Sequence, residues 1–83
     1  MLSEKPFNLN ILTPEKELFA GQTTFLTAQA VDGEIGILAG HAPLVTLLAP
    51  GRISYQLAGG EEIDLDGGAG FLIVKDNQAT VLL

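Results

Sequence analysis

The sequence predicts an all-β fold, an antiparallel sandwich or barrel of about nine or ten strands in a single domain over residues 1–83. Three observations carry this. Turn-forming residues recur every six to ten positions, at Pro14, Gly21, Asp32-Gly33, Gly40, Pro43, Pro50-Gly51, Gly59-Gly60, Gly67-Gly68, Gly70 and Asp76-Asn77. Between them apolar and polar residues alternate with period two, the spacing of a strand with one dry and one wet face. No window of eleven or more residues free of glycine and proline shows a 3.6-residue period.

Taken in order, Phe7, Leu9 and Ile11 face one way and Asn8 and Asn10 the other, which makes an opening strand. Glu15 to Ala20 has room for one helical turn and no more. Ile35–Leu38 and Val45–Leu48 are apolar on both faces. Ile53, Tyr55 and Leu57 alternate with Arg52, Ser54 and Gln56, and Ile63 and Leu65 with Glu62, Asp64 and Asp66. Phe71–Val74 is again apolar on both faces. Strands of that kind lie between two layers or present an apolar outer face to a partner. Three turns have readable mechanisms. Ala49-Pro50-Gly51-Arg52 fits a type II turn with Gly51 at positive φ. Asp32-Gly33 fits a type I′ hairpin with both residues at positive φ. Gly59-Gly60 suits a tight hairpin joining the strands of Tyr55 and Ile63.

Composition narrows function. An 83-residue chain makes one small domain with a modest core. Four basic residues against ten acidic ones give a net charge of −6, which repels nucleic acid and anionic lipid head groups. The absence of cysteine removes disulfides, thiolate metal sites and thiol nucleophiles, and one histidine makes no His-rich metal site. Met1–Phe7 has no apolar core of a signal peptide, and the longest apolar run, Ala42–Pro50, falls far short of a membrane helix. No direct membrane insertion and a cytoplasmic setting are expected.

The side chains that carry chemistry are few. Asp64 and Asp66 share a strand face with Glu62 in line, the arrangement that sometimes holds a proton or a calcium ion. Acidic residues on an edge hairpin also block strand addition, and the calcium-loop pattern is missing. The same solvated reading suits Glu61. His41 sits in a loop with no serine, cysteine or second histidine close in sequence, which points to local packing and hydrogen bonding. Gly33-Glu34-Ile35-Gly36 has neither the lysine nor the helix start of a phosphate-binding loop. Lys75 precedes a hairpin-type Asp76-Asn77, as in swinging-arm carrier domains, but the flanking residues of the modified lysine are missing. No catalytic residue, cofactor site or metal site is assigned.

The unbroken stretch Asp32-Gly33-Glu34-Ile35-Gly36-Ile37-Leu38-Ala39-Gly40-His41-Ala42-Pro43-Leu44-Val45-Thr46-Leu47-Leu48-Ala49-Pro50-Gly51 closely resembles the epsilon subunit of F-type ATP synthase. The flanks agree: Asn10-Ile11-Leu12-Thr13-Pro14-Glu15 and Leu18-Phe19-Ala20-Gly21 look like its opening strands, and Phe71-Leu72-Ile73-Val74 with Asn77 to Leu82 like its closing ones. The resemblance runs from Phe7 to Leu83.

It implies a flattened β-sandwich at the foot of the rotary central stalk, packed against the gamma subunit and resting on the polar loops of the c-ring, without catalysis. It places the chain in the F1 sector, on the cytoplasmic side of the bacterial inner membrane. Asp32 and Glu34 then offer carboxylates to polar and basic groups of the ring, Glu34 foremost, and the His41-Ala42-Pro43-Leu44 loop presents Leu44 as an apolar anchor. Most family members continue into a C-terminal helical hairpin that can inhibit hydrolysis and in some species binds ATP. Because this sequence stops at Val81-Leu82-Leu83, no helical domain and no ATP binding are expected of it. A free-standing β-sandwich that binds a ligand or peptide between its doubly apolar strands is the alternative.

Overall fold

The structure is a computed structural model and describes residues 5–83. The sequence reading of residues 1–4 lies outside that range. Nine strands follow one another: β1 (Phe7–Leu12), β2 (Glu17–Thr23), β3 (Leu26–Ala30), β4 (Gly33–Ile37), β5 (Leu44–Leu48), β6 (Gly51–Gln56), β7 (Glu62–Gly67), β8 (Gly70–Lys75) and β9 (Gln78–Leu82). The number agrees with the spacing of the turn residues. The helical turn does not form. Thr13 and Lys16 close a tight turn instead, with Thr13 N donating to Lys16 O at 2.8 Å, and β2 starts at Glu17. Phe19 explains the preference: in a strand paired to β1 it reaches Tyr55 on β6, with ring centroids 4.6 Å apart.

Hydrogen bonding runs in the order β2-β1-β9-β8-β5-β3-β6-β7, with β4 on the free side of β3. One layer holds β2, β1, β9, β8 and β5, and the other holds β4, β3, β6 and β7. They join where Ala30 pairs with Leu48, beside Val31 N to Leu47 O (3.1 Å) and Ala49 N to Gln29 O (2.9 Å). At the far end the curl nearly closes. The β2 end meets the β6 end through Gln56 N donating to Thr23 Oγ1 at 2.9 Å, and Thr24 Oγ1 bonds to Gln56 Oε1. Pairing is antiparallel except between β1 and β9, which run parallel.

Residues of both layers fill the space between them. Leu9, Ile11, Leu26, Ile37, Leu72 and Val81 are fully buried, with Ile53 and Tyr55 against them. Leu9, Ile11, Ile53 and Tyr55 are the inward residues of alternating segments, whose period sets the strand's orientation, while Ile37 and Leu72 come from segments apolar on both faces.

The turns depart from two expectations. Pro50-Gly51 is not a type II turn, because Gly51 has negative φ. β5 and β6 do not pair; they follow one another along the edge of β3 opposite β4, at Ala30 and at Leu26–Thr27, and residues 49–50 carry the chain between them from one layer to the other. Glycine is required there by crowding, since a Cβ on Gly51 would lie 2.8 Å from Gln29 Cβ. The β3–β4 hairpin is also not type I′. Its two loop residues are Val31 and Asp32, both at negative φ, and Gly33 opens β4 at φ 127°. The two-residue loop with both φ positive lies at Asp76 (53°) and Asn77 (61°), closed by the Lys75–Gln78 pair. The Gly59-Gly60 hairpin forms as expected. It is a three-residue loop with Leu57 N bonded to Glu61 O and Gly60 at φ 94°.

Candidate functional site

Two of the doubly apolar segments become neighbouring strands. β5 and β8 pair antiparallel, Val45 opposite Ile73 and Leu47 opposite Phe71. On both strands the odd-numbered residues point outward. Val45 is 69% exposed, Leu47 50% and Phe71 47%. Phe71 then pairs with Leu82 of β9, and Leu82 with Leu12 of β1, so Leu47, Phe71, Leu82 and Leu12 form one outward row across four strands. Directly opposite side chains in adjacent strands stand about 5 Å apart, which makes the row continuous. The next row is Val45, Ile73, Thr80 and Asn10; the one beyond holds Lys75, Gln78 and Asn8. The face thus grades from apolar to polar along the strands. The third doubly apolar segment, Ile35–Leu38, belongs to the other layer. There Ile37 and Leu38, with Phe25, Leu26 and Gly36, line a shallow hollow of about 460 Å³.

The six residues singled out in the sequence fall into two groups at opposite ends of β5. Asp32 and Glu34 are exposed at the β3–β4 hairpin, beside the Leu47 end of the apolar row, where Val31 adds another exposed apolar side chain. His41, Ala42, Pro43 and Leu44 lie where β5 begins. The two groups are separated by the length of that strand, roughly 13 Å at 3.3 Å per residue.

Ala42 and Pro43 are exposed, and His41 is half-buried. The His41 ring bonds locally as the sequence suggested, its Nδ1–H donating to Ala42 O at 2.8 Å. Leu44 is not an exposed anchor. It is half-buried and packs against the core, because its position in β5 shares the inward face of Leu48. The exposed apolar neighbour is Val45. The outward row was half-visible as doubly apolar segments, but Val31 and Leu82 carried no signal, since their exposure depends on pairings between distant strands.

The remaining polar groups are accounted for by the fold. Glu62, Asp64 and Asp66 are exposed on β7, an outer strand of the sheet. Asp64 accepts a hydrogen bond from Ser54 Oγ at 2.6 Å, and Asp66 stands opposite Arg52. Lys75 is exposed at the foot of the Asp76-Asn77 turn, the hairpin-tip placement its neighbours implied. Burial pushes the Tyr55 phenol above its ordinary pKa.

Comparison with known proteins agrees with this architecture. Residues 6–83 match the family model described as the ATP synthase, Delta/Epsilon chain, beta-sandwich domain. The chain is 43% identical over 72 residues to the ATP synthase epsilon chain of Psychrobacter arcticus, covering 87% of this chain and 52% of that one. It is 44% identical over 73 residues to the ATP synthase epsilon chain of Acinetobacter baylyi, covering 88% and 52%. It therefore spans about half the length of these curated relatives. In fold it is similar to a chain in the cryo-EM structure of Euglena gracilis mitochondrial ATP synthase, OSCP/F1/c-ring in rotational state 1. That likeness has a TM-score of 0.86 at 23% identity over 99% of this chain and 56% of that one. A chain in the Tetrahymena thermophila mitochondrial ATP synthase central stalk/c-ring structure gives 0.75 at 19% identity over 90% and 60%. With nearly its whole length matched by the family model, the chain belongs to the ATP synthase delta/epsilon chain family, as its β-sandwich domain.

Proposed function

We propose that this sandwich is a non-catalytic coupling element of the rotor of a proton-translocating ATP synthase, seated in the central stalk between the gamma subunit and the polar loops of the c-ring. Family membership and two bacterial relatives called ATP synthase epsilon chain support the reading, which extends to a place in the F1 sector on the cytoplasmic side of the bacterial inner membrane. It concerns the half of those relatives that this chain spans, residues 1–83 acting as one β-sandwich unit. The gamma subunit covers the outward face of β5 and β8. Asp32 and Glu34 meet the ring loops, and the loop of His41, Ala42, Pro43 and Leu44 makes a further contact with the stalk.

One observation carries the reading: three large apolar side chains on paired strands, Val45, Leu47 and Phe71, keep about half or more of their surface in water. Packing against a partner removes that surface. Full burial of such a side chain is worth roughly 1.5–3 kcal/mol, so the part still exposed contributes about 1 kcal/mol each. Torque transfer suits a broad dry contact on a stiff sheet.

The test is the triple variant Val45→Thr, Leu47→Thr, Phe71→Thr in the full-length protein, since threonine keeps β-propensity. Its affinity for an F1 complex lacking this subunit but retaining gamma is expected to fall on the order of 100-fold, the equivalent of about 3 kcal/mol. The variant should stay folded. An affinity within threefold of the parent would reject this face as the docking surface.

A further inference from the structure

The loop of His41 has no regular pairing of its own, yet a residue far along the sequence holds it. Asn77, in the β8–β9 turn, accepts a hydrogen bond at its side-chain Oδ1 from Gly40 N (3.0 Å) and donates one from Nδ2 to Pro6 O (3.3 Å). Its backbone carbonyl accepts Asn8 N at 3.1 Å. One residue thus ties together the turn, the segment entering β1, and the start of the 40–43 loop. The two side-chain partners are of opposite kind, an N–H and a carbonyl, and the amide meets them with separate atoms, its oxygen accepting and its nitrogen donating. Gly40, at φ 80°, passes the constraint to His41, whose N donates to Leu38 O at 3.1 Å.

We propose that Asn77 is the positioning residue of the His41–Pro43 loop, and that its amide sets the conformation in which the loop meets its partner. The proposal rests on the reading of that loop as a stalk contact. A role confined to the turn makes a different prediction. At φ 61° glycine is at least as well suited as asparagine, so Asn77→Gly would then be neutral or stabilising.

The experiment measures amide hydrogen exchange at Gly40, thermal unfolding, and affinity for the gamma-containing F1 complex, using the full-length protein and its Asn77→Gly and Asn77→Asp variants. In Asn77→Gly, Gly40 exchange should rise about tenfold and affinity fall severalfold, with little change in unfolding temperature. Asn77→Asp keeps the acceptor for Gly40 and should retain most of the protection there. Unchanged Gly40 exchange in Asn77→Gly overturns the proposal. Raised exchange with unchanged affinity overturns it too, and His41→Ala with Pro43→Ala then separates the two ideas. If those variants weaken docking, the loop contact stands and only the role of Asn77 falls; if they do not, the loop contact itself is wrong.

Discussion

Gly70 is the most tightly enclosed glycine of the fold, and replacing it by alanine tests the pairing of β8 with β9 directly. A Cβ at this position would lie 2.0 Å from Leu82 O, 3.0 Å from Leu82 C and 3.1 Å from Leu83 Cα. All three are backbone atoms, so no side-chain rotation relieves the clash, and the end of β9 must move by more than an ångström. Moving it breaks Leu83 N to Leu12 O, a 2.9 Å bond, and draws the half-buried Leu83 off the core. The bond is worth about 1 kcal/mol. Partial loss of the leucine packing adds about 1–2 kcal/mol. The total of about 2–3 kcal/mol corresponds to a fall of roughly 10–20 °C in unfolding temperature for a domain of this size. Differential scanning calorimetry of Gly70→Ala beside Gly36→Ala reads it. Gly36 has negative φ and nothing within 4 Å of its Cβ position, so that variant should match the parent or gain up to about 1 kcal/mol. Equal unfolding temperatures for both variants would show that β8 and β9 do not approach each other as described.

The remaining predictions concern two glycines and one tyrosine. Gly51→Val forces the new side chain into Gln29 and should destabilise by about 2–4 kcal/mol, while Gly33→Val, at φ 127° in open space, should lose about 1–3 kcal/mol to backbone strain alone. Gly33→Ala should therefore destabilise as well; a chemical melt in which it equals the parent would remove the strain argument. Tyr55 is the only tyrosine, so phenolate absorbance reports it alone. Its folded-state pKa is raised by burial, so its stabilisation is complete below the unfolded value near 10 and is lost as pH climbs through the raised one. Stability should fall more steeply above about pH 10 in the parent than in Tyr55→Phe, and a phenol ionising near pH 10 while the fold stays intact would contradict this.

Strand positions were legible because burial on one face imprints a two-residue period on the chain, and Leu9, Ile11 and Ile53 all face the way that period predicts. Pairing was not legible. β1 and β9 lie side by side and parallel although some seventy residues separate them, and nothing local to Asn10 encodes Thr80 as its neighbour. The turns show a middle case. Asp-Gly at 32–33 marks the right hairpin but sits one residue past the loop centre, because Val31 takes a loop position that its β-branched side chain disguises. Glycine at position 51 fits a local turn in the sequence but answers to crowding against Gln29, a residue on a strand distant in sequence that leaves no local signature. The candidate site divides in the same way. Its acidic and loop residues were visible as a motif, but their separation along β5 and the apolar row between them arise only when β5 meets β8.

The distribution of charge accounts for how an acidic domain can also keep an apolar face in water. Glu61, Glu62, Asp64 and Asp66 are concentrated on and beside β7, an outer strand whose unpaired backbone would otherwise accept a foreign strand. Carboxylates on such an edge repel strand addition while leaving the opposite layer untouched. The row of Leu47, Phe71, Leu82 and Leu12 is different in kind, since it lies across strands that are already paired on both sides or end at the layer junction. Its exposed surface is side-chain surface, which a complementary face can cover without altering the hydrogen bonding of the sheet. A partner docked there adds packing to a body whose two layers are already joined at Ala30–Leu48 and at Thr23–Gln56. On the proposed reading, rotation applied to that face would be carried by the whole sheet, the mechanical property that a coupling element requires and that a catalytic cleft would weaken.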